Sequence, residues 1–213
     1  KDFLIKIAIE SRAPKVIGSK LKLGEFSLGL LTQRIHIKDF ELYNPPGFPN
    51  KVFLVIPEID LQANPFELMK GNIHFSQVIF NMDKMIVHKN KEGRLNVESL
   101  KIVEEQIKAS KEKSTPPPAF KIDSLKLNLG KVILEDETHA PPLMLLVYNV
   151  NVKDKVIKDV SNLPKLATVI VAEALKPTAI RSAGLMAATT VMGVAFLPAV
   201  AVGVIIADDD AKA

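Results

Sequence analysis

Apolar residues recur along this chain with two periods, and the change from one to the other comes near Lys20. Before it, Phe3, Leu4, Ile7 and Ala8 follow the spacing of an amphipathic helix over residues 1–18, and Ile5 and Ile9 widen its apolar face. Pro14 and Gly18 mark where that helix ends. A helix apolar over so wide an arc should pack on something, and a juxtamembrane helix docked on a sheet is the arrangement expected.

From Lys20 the period is two. Leu21 and Leu23 alternate with lysines, and Gly24 and Gly29 are expected to bracket a turn. Then come Ile35 and Ile37 followed by Phe40 and Leu42; Val52, Leu54 and Ile56 followed by Ile59, Leu61 and Ala63; Val78, Phe80 and Met82 followed by Met85 and Val87. Each run slips by one residue in its middle, near Lys38-Asp39, Pro57-Glu58 and Asp83-Lys84. Such a slip is what a β-bulge does, and slips at matching heights would bend a whole sheet. The alternative is that each run is two short strands with a loop between. Pro57 suits an edge or a bulge, because proline cannot donate to a central ladder.

Between the strands, Asn44-Pro45-Pro46-Gly47 and Asn90 to Gly93 read as turns, and Asn64 to Gly71 as one short helix capped by Asn64. Asn96 is expected to cap a helix over 96–110, with Val97, Leu100, Val103 and Ile107 on one face. That helix dissolves into a charged, proline-rich linker over 110–118, the best candidate for a boundary between lobes. Two further strands follow. One carries Phe120, Ile122, Leu125, Leu127, Leu129, Val132 and Leu134; the other runs from Leu143 to Val152. Asn162 and Pro164 then open a helix with Leu166, Val169 and Ile170 on one face, and Pro177 ends or kinks it. The expected fold is α+β: a strongly curved, half-barrel-like antiparallel sheet over 19–160, flanked by amphipathic helices, with an apolar helical segment over 161–213.

Composition narrows the partners. A formal charge of +4 is spread over the whole chain with few aromatics, so no basic stripe suited to nucleic acid is present, and at most a mild preference for anionic surfaces follows. The absence of cysteine removes disulfides, thiolate zinc sites and Cys nucleophiles. No Gly-x-Ser-x-Gly, Walker A, dinucleotide or His-Glu-x-x-His pattern occurs. His36 and His74 sit at polar-face positions of strands, and neither they nor His88 and His139 have metal-ligand spacing. An enzyme is therefore not expected, and no metal or cofactor.

The order of motifs is itself informative. Gly18…Leu21-Lys-Leu-Gly24 is followed by Ile35-His-Ile-Lys-Asp-Phe40, Tyr43-Asn-Pro-Pro-Gly-Phe48, Ile56-Pro-Glu-Ile-Asp-Leu61, Asn64-Pro-Phe-Glu-Leu-Met-Lys-Gly71 and Gly93-Arg-Leu-Asn-Val-Glu-Ser-Leu100. As an ordered set over residues 1–160 this resembles the N-terminal module of AsmA-like proteins, related to TamB-type and bridge-like lipid-transfer proteins. The resemblance implies a periplasmic protein of the bacterial envelope, tethered to the inner membrane by an N-terminal helix, with an apolar concave face that holds phospholipid. A sheet of six to eight strands at roughly 4.8 Å spacing gives a groove only about 30–40 Å long, too short to bridge an envelope.

Candidate groove residues are Leu54, Ile56, Ile59, Leu61, Phe80, Met82, Leu127 and Leu129, although a closed core under the helices would use the same positions. Ser182 to Ala207 contains no charged residue. It is long enough to span a bilayer, and it equally suits burial in the groove or a contact with a second copy or an envelope partner. Gly184, Ala188, Gly193, Phe196 and Ala201 are the candidates for oligomer or membrane contact. Two functions are thus expected: lipid binding or transport through the groove, or an assembly subunit that scaffolds a larger envelope complex.

Overall fold

The computed structural model describes residues 2–64, 66–67, 72–101, 103, 120–138, 144–178 and 180. The period-two segments form strands β1 (Leu21–Lys22), β2 (Glu25–Gly29), β3 (Arg34–Tyr43), β4 (Val52–Ala63), β5 (Ile73–Lys89), β6 (Phe120–Asp136) and β7 (Met144–Val160). They make one open sheet of seven strands in the order β1-β3-β4-β5-β6-β7, with β2 beside β1 along β3. Two helices, α1 (Asp2–Ile17) and α2 (Leu163–Leu175), pack on the core.

The changes of phase are real and lie on one line, but at Lys38-Asp39, Pro57-Glu58 and Asp83-Lys84 they are not the expected bulges: the register irregularities of β3 and β4 fall at Leu42/Tyr43 and Gln62/Ala63 instead. β3 buries Ile35 and then Leu42, β4 buries Ile56 and then Ile59, and β5 buries Met82 and then Met85, so each strand changes the face it turns to the core midway. Register is kept across the slip between β3 and β4: Lys38 stands opposite Glu58 and Phe40 opposite Ile56. Neighbours therefore shift together, and Asp39 takes up the change with φ of +49° opposite Pro57, which has no N–H to offer. The line continues through Asp83 to Gly130 of β6, whose added Cβ would run into the Asp83 carbonyl. In β7 it ends at Asn151 (φ +51°), beside a register change between Leu129 and Lys131.

Other expectations are corrected as well. The sheet is not wholly antiparallel: β5 and β6 run parallel from Ile73 beside Phe120 to Lys89 beside Asp136, because the chain between them returns to the end where β5 began. That continuous ladder also leaves no lobe boundary at the linker. Gly24 and Gly29 bracket strand β2 rather than a turn; Gly24 is needed because a side chain there would strike Asp39. Asn96 does not cap a helix. It opens a 3-10 turn, Asn96–Ser99, and is itself buried: its Oδ1 accepts from the amides of His88 and Val97, and its Nδ2 donates to Asn44 Oδ1 and the Ile86 carbonyl. Lys101 and Val103 are helical, and the rest of the expected 96–110 helix lies outside the described residues.

The helices keep most of their expected signals. Asn162 caps α2 by accepting from the Lys165 amide at 2.6 Å, and Val169 and Ile170 are buried. α1 ends at Gly18, whose φ of +83° and amide bond to the Pro14 carbonyl form a left-handed cap. Pro14 sits inside α1 rather than ending it. α1 packs through Ile9, Ala13 and Ile17, whereas Phe3 and Leu4 are each 69 % exposed. No helix among the described residues is long and apolar enough to cross a membrane.

Candidate functional site

α1 touches β1 and β2 at one end of the sheet, and α2 touches β6 and β7 at the other. Over the middle strands neither helix seals the face, and a cavity of about 330 Å³ remains between them. Its floor is Phe40 and Leu42 of β3, Phe53, Leu54, Ile56 and Ile59 of β4, and Phe80 and Met85 of β5. Ala13, Val16 and Ile17 of α1 form one wall, with Leu163, Leu166, Ala167, Ile170 and Val171 of α2 opposite; Leu100 also contributes. Every described lining residue is apolar, so among the described residues the walls hold no acid, base or nucleophile. Val16 is 48 % exposed and Leu163 36 %, which places the mouth between the two helices.

Of the candidate groove residues, Leu54, Ile56, Ile59 and Phe80 line this cavity. Leu61 is partly buried against the core, and Met82, Leu127 and Leu129 are buried, but none of these four lines it. Ala13 and Ala167 were missed because alanine in a helix reads as filler; their helical spacing from Ile9 and Ile17, and from Leu163 and Ile170, was the available signal. Gly184, Ala188, Gly193, Phe196 and Ala201, with His139, fall outside the described residues.

Polar clusters lie away from the cavity. On β3 and β4, His36 places Nδ1 2.7 Å from Asp60 and Nε2 3.3 Å from Glu58. These three residues bring ligand-type atoms within 4.8 Å, but each carboxylate addresses a different ring nitrogen, an arrangement that holds an imidazole rather than one converging on an ion. His74 pairs with Asp123 at 2.7 Å, and Lys121 bonds the same carboxylate. The Lys121 bond, then that of His74, holds Asp123 below the usual carboxylate range.

Among the described residues His88 is the buried histidine, with Nδ1 3.1 Å from Glu135, Nε2 3.0 Å from Glu137 and the Phe48 ring edge-on at 5.9 Å. The Glu137 contact is close but does not meet hydrogen-bond geometry, which leaves Nε2 without a hydrogen-bond partner. Next to it, burial works to raise the Asp136 pKa, but the Thr138 hydroxyl and amide, with Lys89 at 3.3 Å, outweigh it and leave the carboxyl below its ordinary value. On α2, the buried Glu173 pairs with Lys155 of β7 at 2.6 Å. These clusters pin strand ends and α2.

Comparison with family models, with curated proteins and with solved structures gives no match to this chain.

Proposed function

We propose that this chain is a non-enzymatic, membrane-associated lipid-binding domain of the AsmA-like type, at work in the bacterial periplasm beside the inner membrane. The observation that carries the proposal is the cavity: a space whose walls, among the described residues, are hydrocarbon side chains, open between two helices, on the face the sheet turns to its core. A volume near the lower end of the roughly 300–1,000 Å³ of ligand pockets suits hydrocarbon better than a polar metabolite, which would need partners the walls lack. The slip line from Asp39 to Asn151 supports a bend that makes the helix-covered face concave. The exposed Phe3, Leu4 and Ile7 give α1 apolar surface outside the core, suited to a bilayer surface.

The test is direct. Protein purified without detergent should release lipid detectable by mass spectrometry, and filling the space by Ala167→Phe should reduce its amount. Lipid-free protein that also takes up none from vesicles would defeat the proposal.

A second reading, an assembly subunit, is favoured by β7, whose outer edge pairs with no strand among the described residues. Its second half is blunted by residues at positive φ, Asn151, Asp154 and Asp159, and by lysines. Its first half is regular and exposes Leu145 and Val147, which suits pairing with another strand. Light scattering decides it: Leu145→Lys with Val147→Lys should lower the assembled mass, and an unchanged mass would remove the reading.

A further inference from the structure

Resting on the lipid-binding reading, we infer that the cavity takes the tail of a single-chain amphiphile with an anionic head, and that the head lies at the mouth against Arg12 and Lys15. Size sets the number of chains. At roughly 30 Å³ per water-sized group, 330 Å³ holds on the order of eleven such groups, most of one long hydrocarbon chain and not two. Among the described residues the walls carry no polar atom to receive a head, so the head stays outside.

Charge at the mouth sets its sign. Val16 marks the opening on α1, and Arg12, exposed, stands one helical turn before it on the same side. Lys15 adjoins Val16, and Lys101 follows the cavity-lining Leu100 and reaches the Lys15 carbonyl at 3.3 Å. The end of a helix would ordinarily repel an anion. Here the Gly18 amide and the Lys101 ammonium answer the carbonyls of Pro14 and Lys15, which weakens that repulsion. Glu10, the nearest acid on α1, is turned to the other side, where its carboxylate accepts the Leu23 amide at 2.8 Å.

Calorimetric titration of the whole chain with hexadecanoate and with hexadecanol, each delivered from cyclodextrin, tests this. The acid should bind at least about tenfold more tightly, the worth of one charge-assisted contact. Arg12→Glu with Lys15→Glu should bring the acid down to the level of the alcohol and leave the alcohol unchanged. Ala167→Phe should weaken both ligands, with Ala13→Phe as the second variant should the first lose its circular dichroism. Equal binding of acid and alcohol would overturn the anionic head while leaving the lipid site standing. Preferential extraction of two-chain phosphatidylglycerol from vesicles would overturn the single chain. Failure of every ligand would bring down the lipid-binding reading itself. Binding that emerges only after removal of residues 182–213, or only on dilution of a dimer, would assign the cavity to this chain's own C-terminus or to a second copy and overturn the inference.

Discussion

Under α2, Leu125, Leu127 and Val132 of β6 are wholly buried against packed side chains, whereas Leu54, Ile56 and Ile59 of β4 are hidden from water yet face unfilled space. Both sets belong to the same face of the same sheet and to the same alternation. The difference comes from what stands above them. α2 turns Val169, Leu175 and their neighbours into the core. Toward the gap, the helix walls include Ala13 on one side and Ala167 on the other, two of the smallest side chains available. A space kept open by small residues on facing helices is a property of the helices, and the strands below are indifferent to it.

Replacing side chains in each region measures the contrast. Leu127→Ala in the sealed region should cost about 2–5 kcal/mol by chemical denaturation, as truncation in a filled core does. Gly130→Ala tests the slip line between the regions: its Cβ has no room against the Asp83 carbonyl, and a loss of about 1–3 kcal/mol is expected, with no loss meaning that the strands can relax there.

Asp136→Asn, at the far end of β6, should cost about 1–3 kcal/mol at neutral pH. Because the folded-state pKa of Asp136 is lowered, its contribution is present above the ordinary value of 3.8 and is lost as pH falls through the folded value. The variant should therefore show a shallower decline of stability in acid. Ala167→Leu, by contrast, adds bulk over the gap and should change stability by less than about 1 kcal/mol, or raise it. A cost as large as that of Leu127→Ala would mean the space is already filled. Smallest of all, Phe3→Ser with Leu4→Ser should leave stability within about 0.5 kcal/mol, since neither packs on the core, while reducing flotation with vesicles.

The sequence made the strands and the slip line readable because burial leaves a phase in the pattern. Ile37 to Phe40 and Ile56 to Ile59 each jump three positions where alternation requires two. Direction left no such trace: parallel and antiparallel neighbours of β5 share the same period, so the β5–β6 pairing had to be seen. Half of the candidate lining was likewise readable, since Leu54 and Leu127 are equivalent as members of alternating runs, and only the docking of α2 separates them. His88 was opaque for another reason. Its partners Glu135 and Glu137 lie far along the chain, and Asn96 reads as a cap until its four buried hydrogen bonds are traced.

The parallel seam has a consequence for how the molecule comes together. On one side of it, β1 to β5 fold back on one another through short local connections; on the other, β6, β7 and α2 do the same. Among the described residues the β5–β6 ladder is the strand pairing that joins these contiguous pieces, and it can zip up only after the long intervening stretch has closed, an entropic toll the hairpins avoid. A nick in the proline-rich stretch between them should yield two fragments that reassociate along that ladder, with docking as the slow kinetic phase.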